Sequence, residues 1–391
     1  MRHPESTLTE SAPTHRQHFD FLDGLRGLAV AMVFVYHALF AAYQQDTLQW
    51  GNWFPLWREN LSILPYYPAT LGRYGVAVFF SISGFCIHLS YVRQPGWWPF
   101  WIRRFFRIYP PYLVPLVLLG IYEFLRLPHS FGIDDAIQWL SHLLLVHNLS
   151  ESTLYGINGS FWTIAVEVQL YALYPVLRKL VMRWGWGTTL IGLGLVEMAL
   201  RLTDGVLLTL HPPSLPVGLM NSPFAFWFSW GTGAYAADVL LRRHRRTISN
   251  TVFAALSAIV LLADLFKPAA GLGFPAVACL TSLLCVQLAQ GRSGPKTQQR
   301  VQSLWMRHLS RAGVYSYSIY LLHQPLLQRM PTLVRWMVGT TPEAQVLAWI
   351  LGLFAWWPIF IISGCFYQYC EQPSIRWGRH VLEQFRGKTN L

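Results

Sequence analysis

Residues 19–37 read FDFLDGLRGLAVAMVFVYH, a membrane-spanning pattern that contains a basic residue and a histidine. Ten uncharged residues separate Arg26 from His37. On an α-helix this step turns through about 1100°, so both side chains share one face, roughly 16 Å apart along the axis. A cation in hydrocarbon costs free energy and usually faces a bundle interior or a watery cavity. The pattern therefore predicts a functional site. In the alternative, Arg26 snorkels to the membrane surface and His37 is structural.

The composition predicts an all-α polytopic membrane protein. Of the 391 residues, 53% are hydrophobic and 12% are charged, whereas soluble domains carry about 25% charged residues. Mean hydropathy is +0.32. The five cysteines show no metal-ligand spacing and are interpreted as small buried side chains. We expect no metal site and no tightly bound cofactor.

Ten apolar stretches are long enough to cross a bilayer, which takes about 20 residues each. They are residues 21–43, 73–92, 108–126, 161–182, 187–209, 222–241, 250–267, 270–290, 312–331 and 345–369. The segment 134–149 is shorter and more polar, and we expect it to lie along the outer surface or to re-enter the membrane.

The placement of Lys and Arg predicts the orientation of this ten-helix bundle. With the N-terminus in the cytoplasm, most of the 30 Lys and Arg fall in inner segments, as the positive-inside rule requires. Both termini are therefore predicted to be cytoplasmic, with polar tails 1–18 and 376–391 around a membrane domain 19–375. Topology explains the net charge of +12, so no nucleic-acid partner is expected. The sequence does not indicate an oligomeric state.

A basic motif, WIRRFFRIYPP, precedes the third predicted span. Arg104 and Arg107 are three residues apart and are neighbours on one helical face. Paired guanidinium groups bind phosphates through two hydrogen bonds each. The pair is therefore a candidate for holding an anionic co-substrate at the cytoplasmic side. Ordinary topogenic anchoring is the alternative.

The fourth predicted span carries a polar stripe through an apolar helix, GSFWTIAVEVQLYALYP. The stripe consists of Ser160, Thr163, Glu167, Tyr171 and Tyr174. A buried carboxylate either pairs with a cation or takes up a proton. Glu167 could therefore orient His37 or Arg26, or contact an acceptor hydroxyl. A helix-packing ion pair is the structural alternative.

The ninth predicted span holds the motif YSYSIYLLHQP. Ser316, Tyr320 and His323 share one helical face, and Pro325 can break the helix just beyond them. We assign Tyr320 and His323 to the wall of the co-substrate site. His323 is interpreted as a second titrating group, a hydrogen-bond partner or a satisfied core histidine.

The outer segment 128–160 is rich in His, Asp and Asn and contains no Lys or Arg. It could recognise a polar acceptor such as a sugar, or be a solvated loop. Asp134 and Asp135 are its only candidates for the acidic site of a glycosyltransferase.

Together, these motifs resemble the membrane acyltransferase 3 family along nearly the whole chain. The matching elements are LDGLRGLA with His37, GVAVFFSISGF, RRFFRIYP, SFWTIAVEVQLYALYP, YSYSIYLLHQP and CEQPSIR, in this order. The most specific one is a basic residue eleven positions before a histidine, which marks the family.

The resemblance implies transfer of an acyl group, commonly acetyl, from acyl-coenzyme A (acyl-CoA) to a hydroxyl of a glycan, a glycolipid or a related acceptor. Arg26 and His37 match the family's essential pair, and Arg104 and Arg107 match its Arg-x-x-Arg element. Glu167 matches the first carboxylate of the motif in span four.

Two departures from the family pattern affect the acidic residues. Val168 stands where the family often has a second carboxylate, and Ala77 replaces its usual acidic residue in span two. Both departures make a mechanism with two carboxylates doubtful and leave Glu167 as the acidic candidate.

The resemblance thus implies an acyl-CoA-dependent O-acyltransferase of the bacterial inner membrane. His37, Arg26 and Glu167 are the predicted catalytic residues, and the predicted co-substrate contacts are Arg26, Arg104, Arg107, Tyr320 and His323. His37 would be a general base or would take the acyl group transiently. The alternative is a transporter or flippase that uses the buried Arg, His and Glu as a relay.

Overall fold

The computed structural model describes residues 20–43, 67–126, 132–210, 214–242, 249–263, 266–291, 304–339 and 341–389. These residues form helices and no β-strand, which confirms the predicted all-α class. The main helices are α1 Asp20–Tyr43, α2 Gly75–Arg93, α3 Trp97–Arg126, α4 Ile133–Leu143, α5 Trp162–Leu210, α6 Trp227–Leu241, α7 Asn250–Ala263, α8 Gly273–Gly291, α9 Leu304–Val314, α10 Ser316–Leu327, α11 Met330–Val338, α12 Pro342–Phe354, α13 Trp356–Phe366 and α14 Gln372–Thr389.

Five helical segments in the described part of the chain are long and apolar enough to cross a membrane. They are Phe21–Tyr43, Tyr67–Arg93, Trp97–Tyr122, Pro268–Gln290 and Glu343–Phe385. The other predicted spans are also helical, but they do not meet the same criterion of length and composition. The number of ten spans therefore stays a prediction.

Helix α5 contains the fourth and fifth predicted spans, which are separated at Gly185. Gly185 has φ 75° and ψ 167°, a conformation outside the helical range. Only glycine adopts such a positive φ without steric cost. The sequence thus predicts the position of this break correctly, between residues 182 and 187.

Helix α1 lies in the centre of the bundle. Val30, Val33, Phe34 and Leu39 point in different directions around it, and each is at most 1% exposed. The helix contacts α2, α9, α10 and α12. A helix that is apolar and buried on most sides is surrounded by protein, so its polar residues face neighbouring helices.

Helices α2 and α6 approach each other closely through two glycines. A Cβ atom at Gly84 would collide with the backbone of Trp230, and one at Gly233 would collide with the backbone of Ser81. Small residues permit this kind of close packing between membrane helices. Next to the glycines, the Ser282 hydroxyl contacts the hydroxyls of Ser81 and Thr232, each at 2.9 Å.

We expect Gly84→Ala to lower the thermal unfolding midpoint of the detergent-solubilised protein. The added methyl group meets backbone atoms, which cannot rotate away, and overpacking of this kind costs about 1–3 kcal/mol. Gly187→Ala is the matched control, because no atom lies within 4 Å of its added Cβ. Equal midpoints for the two variants would contradict this account of the packing.

The C-terminal helix continues through the predicted domain boundary at residue 375. Residues Tyr367–Glu371 form a π-helical turn, and α14 follows without a break. Ser374 donates a hydrogen bond to the backbone oxygen of Phe106 in α3. The described part of the predicted polar tail is therefore helical, and its Trp377 packs against Phe106 of α3.

Candidate functional site

Two neighbouring cavities contain most of the predicted site residues. The arginine cavity has a volume of about 120 Å³ and is lined by Arg26, Arg104, Arg107 and Glu167, among others. The histidine cavity has a volume of about 350 Å³, and His37 lines it. Both cavities are lined by Val76 and Tyr320. A thin layer of side chains therefore divides the two spaces.

Arg26 points into the protein. Its guanidinium donates to Oδ1 of Asp23 at 3.3 Å and to Sγ of Cys86 at 3.1 Å. The contact with Asp23 joins residues three positions apart in α1, whereas Cys86 belongs to α2. This geometry disfavours snorkelling to lipid. It also corrects the interpretation of Cys86, whose thiol lines the arginine cavity.

His37 is paired with a second histidine. Its Nδ1 atom lies 2.7 Å from Nε2 of His323. His37 is 7% exposed and His323 is fully buried. Of the roles considered for His323, the structure supports that of hydrogen-bond partner. His323 lines neither cavity, so its expected place in the wall of the co-substrate site is not observed.

Glu167 belongs to the arginine cavity. Its Oε1 atom accepts hydrogen bonds from Tyr171 and from Ser83, the latter at 2.8 Å. Glu167 does not line the cavity of His37, and His323 contacts the imidazole instead. Of the roles considered for this carboxylate, orienting His37 has no support in the geometry. Glu167 and Arg26 line the same space, which fits a role of the carboxylate towards Arg26.

The two arginines of the third helix differ in their environment. Arg107 forms an ion pair with Glu371, which is fully buried in the π-helical turn. The other carboxylate oxygen of Glu371 accepts a hydrogen bond from Ser318 at 2.6 Å. Arg104, by contrast, makes one long contact with the hydroxyl of Ser90, at 3.4 Å. Both guanidiniums line the cavity, but Glu371 already neutralises that of Arg107.

Tyr320 lies at the boundary between the cavities. Its hydroxyl accepts a hydrogen bond from Thr163 at 2.6 Å, which fixes the ring between α10 and α5. The ring packs edge-to-face against Phe79, with 6.1 Å between the centroids. Tyr320 therefore lines both cavities. The sequence predicts it as part of the wall of the co-substrate site only.

A buried ion pair in the wall of the histidine cavity was missed by the sequence analysis. Glu197 accepts hydrogen bonds from Arg201 and from the amide and hydroxyl of Ser229. Arg201 donates to the backbone oxygen of Ala225, and its guanidinium lies 4.5 Å from the ring centre of Phe274. Arg201 lines the histidine cavity. The i, i+4 spacing of Glu and Arg in an apolar helix is the signal that could have revealed the pair.

The polar side chains of the outer segment are largely used within the protein. His142, His147, Asn148 and Asn158 are at most 4% exposed. The rings of His142 and His147 stack in parallel, 3.9 Å apart. Asp135 accepts a hydrogen bond from the amide of Gly132 at the start of α4. His129 lies outside the described residues.

Acidification is expected to destabilise this segment, which lies outside the five candidate spans. Burial lowers the pKa of His142 to about 4 and that of His147 to about 3, the latter helped by the neighbouring ring of His142. An unfolded histidine has a pKa of about 6.5. Between these values the unfolded chain binds more protons, so stability falls as the pH drops below about 6.5.

Thermal unfolding midpoints measured from pH 7.5 to pH 4 test this expectation. The double variant His142→Gln/His147→Gln should lose less stability on acidification than the wild type does. Parallel pH profiles of the two proteins would contradict the assignment.

The two cavities offer different chemical groups. In the described ranges, no three His, Cys, Asp or Glu side chains lie close enough together to hold a metal ion. The arginine cavity offers cations for an anionic ligand. The histidine cavity offers an imidazole, a group that can accept and donate a proton.

Comparison with known proteins adds a family match and several distant relatives. The family model described as acyltransferase domain, Acyl_transf_3, matches residues 19–366. Acyltransferase MdmB of Streptomyces mycarofaciens is 25% identical over 379 residues, which cover 91% of each chain. No solved structure matches the chain.

Two further relatives carry more specific names. Peptidoglycan O-acetyltransferase OatA of Listeria monocytogenes is 25% identical over 407 residues, covering 95% of this chain and 58% of the Listeria protein. The chain thus matches little more than half of that relative. The putative membrane-bound transacylase BcsY of Komagataeibacter xylinus is 25% identical over 360 residues, covering 84% of this chain and 78% of BcsY.

Proposed function

Because the chain belongs to the acyltransferase 3 family, we propose that this multi-pass membrane protein is an acyl-CoA-dependent O-acyltransferase of the bacterial inner membrane. Its acceptor would be a hydroxyl group of a glycan, a glycolipid or a related molecule. The acyl group would be acetyl, since relatives of this chain are named as O-acetyltransferases. The ten-span topology with cytoplasmic termini is part of the same proposal and derives from the distribution of Lys and Arg.

One observation carries the proposal. Helix α1 presents a guanidinium to one cavity and an imidazole to the next, and the two cavities share Val76 and Tyr320. This arrangement supports a binding site for an anionic donor on one side of a thin boundary and a proton-transfer site on the other. The axial rise of roughly 16 Å between Arg26 and His37 is on the scale of the pantetheine arm of coenzyme A.

The arginine cavity would hold the donor. Arg104 is the arginine that is best placed for the phosphates, because the ion pair with Glu371 neutralises Arg107. Arg26 would guide the pantetheine arm or polarise the thioester carbonyl. A guanidinium beside the developing negative charge stabilises the transition state more than the ground state.

The histidine cavity would receive the acceptor. In direct transfer, His37 accepts the proton of the acceptor hydroxyl while that oxygen attacks the thioester carbon. The C–S bond then breaks, and the departing thiolate takes the proton from the imidazole. In the covalent route, His37 itself attacks the thioester carbon, the C–S bond breaks and coenzyme A leaves as the thiolate. The acceptor oxygen would then attack the acyl-imidazole, its proton would pass to the thiolate, and the C–N bond would break to free His37.

Transfer assays with purified protein in nanodiscs test the proposal. We expect radiolabelled acetyl-CoA to label an added glycan or glycolipid acceptor without any ion gradient, and to release free coenzyme A. Mass spectrometry of surface glycans from a deletion strain should show a lost acetyl group. Movement of a substrate across the membrane without any acyl transfer would favour the transporter alternative and overturn the proposal.

A further inference from the structure

We propose that His323 is a positioning residue that fixes the tautomer of His37, so that Nε2 of His37 is the atom that exchanges the proton during transfer. The inference rests on the proposed function for its chemical role. The hydrogen bonds of His37 and His323, from which the tautomer is inferred, can be tested without measuring acyl transfer.

The protonation of His323 follows from its partners in α10. Its Nδ1 atom lies 2.9 Å from the backbone oxygen of Tyr320 and 3.1 Å from that of Ile319. Carbonyl oxygens only accept hydrogen bonds, so Nδ1 of His323 must carry a proton. In the neutral ring, Nε2 of His323 then holds a lone pair and accepts a hydrogen bond.

The tautomer of His37 follows from that of His323. Nδ1 of His37 lies 2.7 Å from Nε2 of His323, and one of the two nitrogens must be the donor. Because Nε2 of His323 is the acceptor, Nδ1 of His37 carries the proton. The lone pair of neutral His37 is therefore on Nε2, the nitrogen on the far side of the ring.

The opposite arrangement is electrostatically unfavourable. With the proton of His323 on Nε2, its unprotonated Nδ1 would face two carbonyl oxygens. All three atoms are acceptors, and none of them could donate a hydrogen bond. Protonating both nitrogens of His323 would instead put a positive charge at a site with no solvent exposure, at a large desolvation cost. Burial of His323 thus favours the single arrangement in which both rings are neutral.

The local sequence supports the position of His323. Pro325 lacks an amide hydrogen and cannot donate to the carbonyl of Leu321. Asn158 donates to that oxygen instead, at 3.3 Å, and the same side chain accepts from Ser160 at the start of α5. The turn of α10 that carries His323 is therefore anchored to the segment before α5.

The pair of His37 and His323 resembles the histidine and the carboxylate of a catalytic triad, with the imidazole of His323 in the place of the carboxylate. When Nε2 of His37 takes the proton of the acceptor hydroxyl, Nδ1–H continues to donate to His323. When Nε2 returns the proton to the thiolate, the same bond holds the ring in place. His323 itself gains and loses no proton in this cycle.

Two variants at position 323 separate positioning from packing. In His323→Gln, Oε1 can accept from His37 and the amide group can donate to the backbone carbonyls. His323→Leu fills a similar volume without an acceptor. We expect the Leu variant to lower kcat on the order of 10–100-fold with an unchanged donor KM, and the Gln variant to keep most of the wild-type kcat. Equal kcat values for the Leu variant and the wild type would overturn the inference.

The tautomer can also be measured directly in the wild-type protein, with no need for a folded variant at position 323 or for activity. Solid-state NMR of protein labelled with ¹⁵N-histidine, compared with the same spectrum of His37→Gln, isolates the signals of His37. We expect a protonated Nδ1 and an unprotonated Nε2. A protonated Nε2 with a bare Nδ1 would refute the inference even if acyl transfer is confirmed. Absence of acyl transfer with the expected tautomer would refute the proposed function alone.

Discussion

His37→Gln is expected to abolish acyl transfer while the protein still inserts and folds. Glutamine keeps the size and polarity of the side chain but cannot take up a proton at neutral pH. General base catalysis contributes about 10²–10⁴-fold to a rate, so kcat should fall by that factor, with the KM for the donor little changed. Steady-state release of coenzyme A from radiolabelled acetyl-CoA, with acceptor present, measures the effect.

The control for this experiment is His380→Gln. His380 is exposed on α14 and contacts Gln384 on the same helix, so the variant should transfer at the wild-type rate. Labelling of the wild type without acceptor separates the two routes, because only the covalent route leaves a radiolabelled enzyme. Full activity of His37→Gln would exclude both routes.

Arg26→Leu should produce the second large loss. Removing a charged donor that stabilises the transition state costs about 10²–10³-fold in rate. The variant also deprives Asp23 and Cys86 of their contacts with the guanidinium. If Arg26 guides the pantetheine arm, the KM for acyl-CoA should rise; if it polarises the thioester, kcat should fall. Initial rates over a range of acyl-CoA concentrations distinguish the two roles.

Arg103→Leu is the matched control for Arg26. Arg103 bonds to Gln94 and lines neither cavity, so the loss of its charge should leave the rate close to the wild-type value. Arg26→Lys should be more active than Arg26→Leu, because lysine keeps the positive charge. It should be less active than the wild type, because lysine lacks the planar guanidinium group. Similar kinetics for Arg26→Leu and Arg103→Leu would show that Arg26 is not part of the site.

The sequence predicts those parts of the site that depend on a single helix. The step from Arg26 to His37 places both side chains on the inward side of α1 because helical periodicity is local. The break at Gly185 and the stripe that brings Thr163 and Glu167 to one face are predictable for the same reason. Each of these features lies within a few turns of one helix.

The partners across the bundle were not predictable in this way. His37 and His323 are 286 residues apart, and Arg107 and Glu371 are 264 apart. Packing contacts, such as those of Gly84 and Gly233, decide which helices are neighbours and which residues lie at the same level along them. Helical periodicity does not describe these contacts. For this reason the sequence named Glu167 among the candidates for orienting the imidazole, whereas His323 contacts it in the structure. Arg104 and Arg107 both line the arginine cavity, but the ion pair of Arg107 with Glu371 was not predictable for the same reason.

The boundary formed by Val76 and Tyr320 has a consequence for the speed of turnover. Joining the two spaces requires rotamer changes at these positions and the loss of one hydrogen bond, from Thr163 to Tyr320. Such a bond contributes about 0.5–1.5 kcal/mol, far less than the cost of separating packed helices. In the proposed function, the passage of a donor arm would therefore not demand a rocking motion of the bundle.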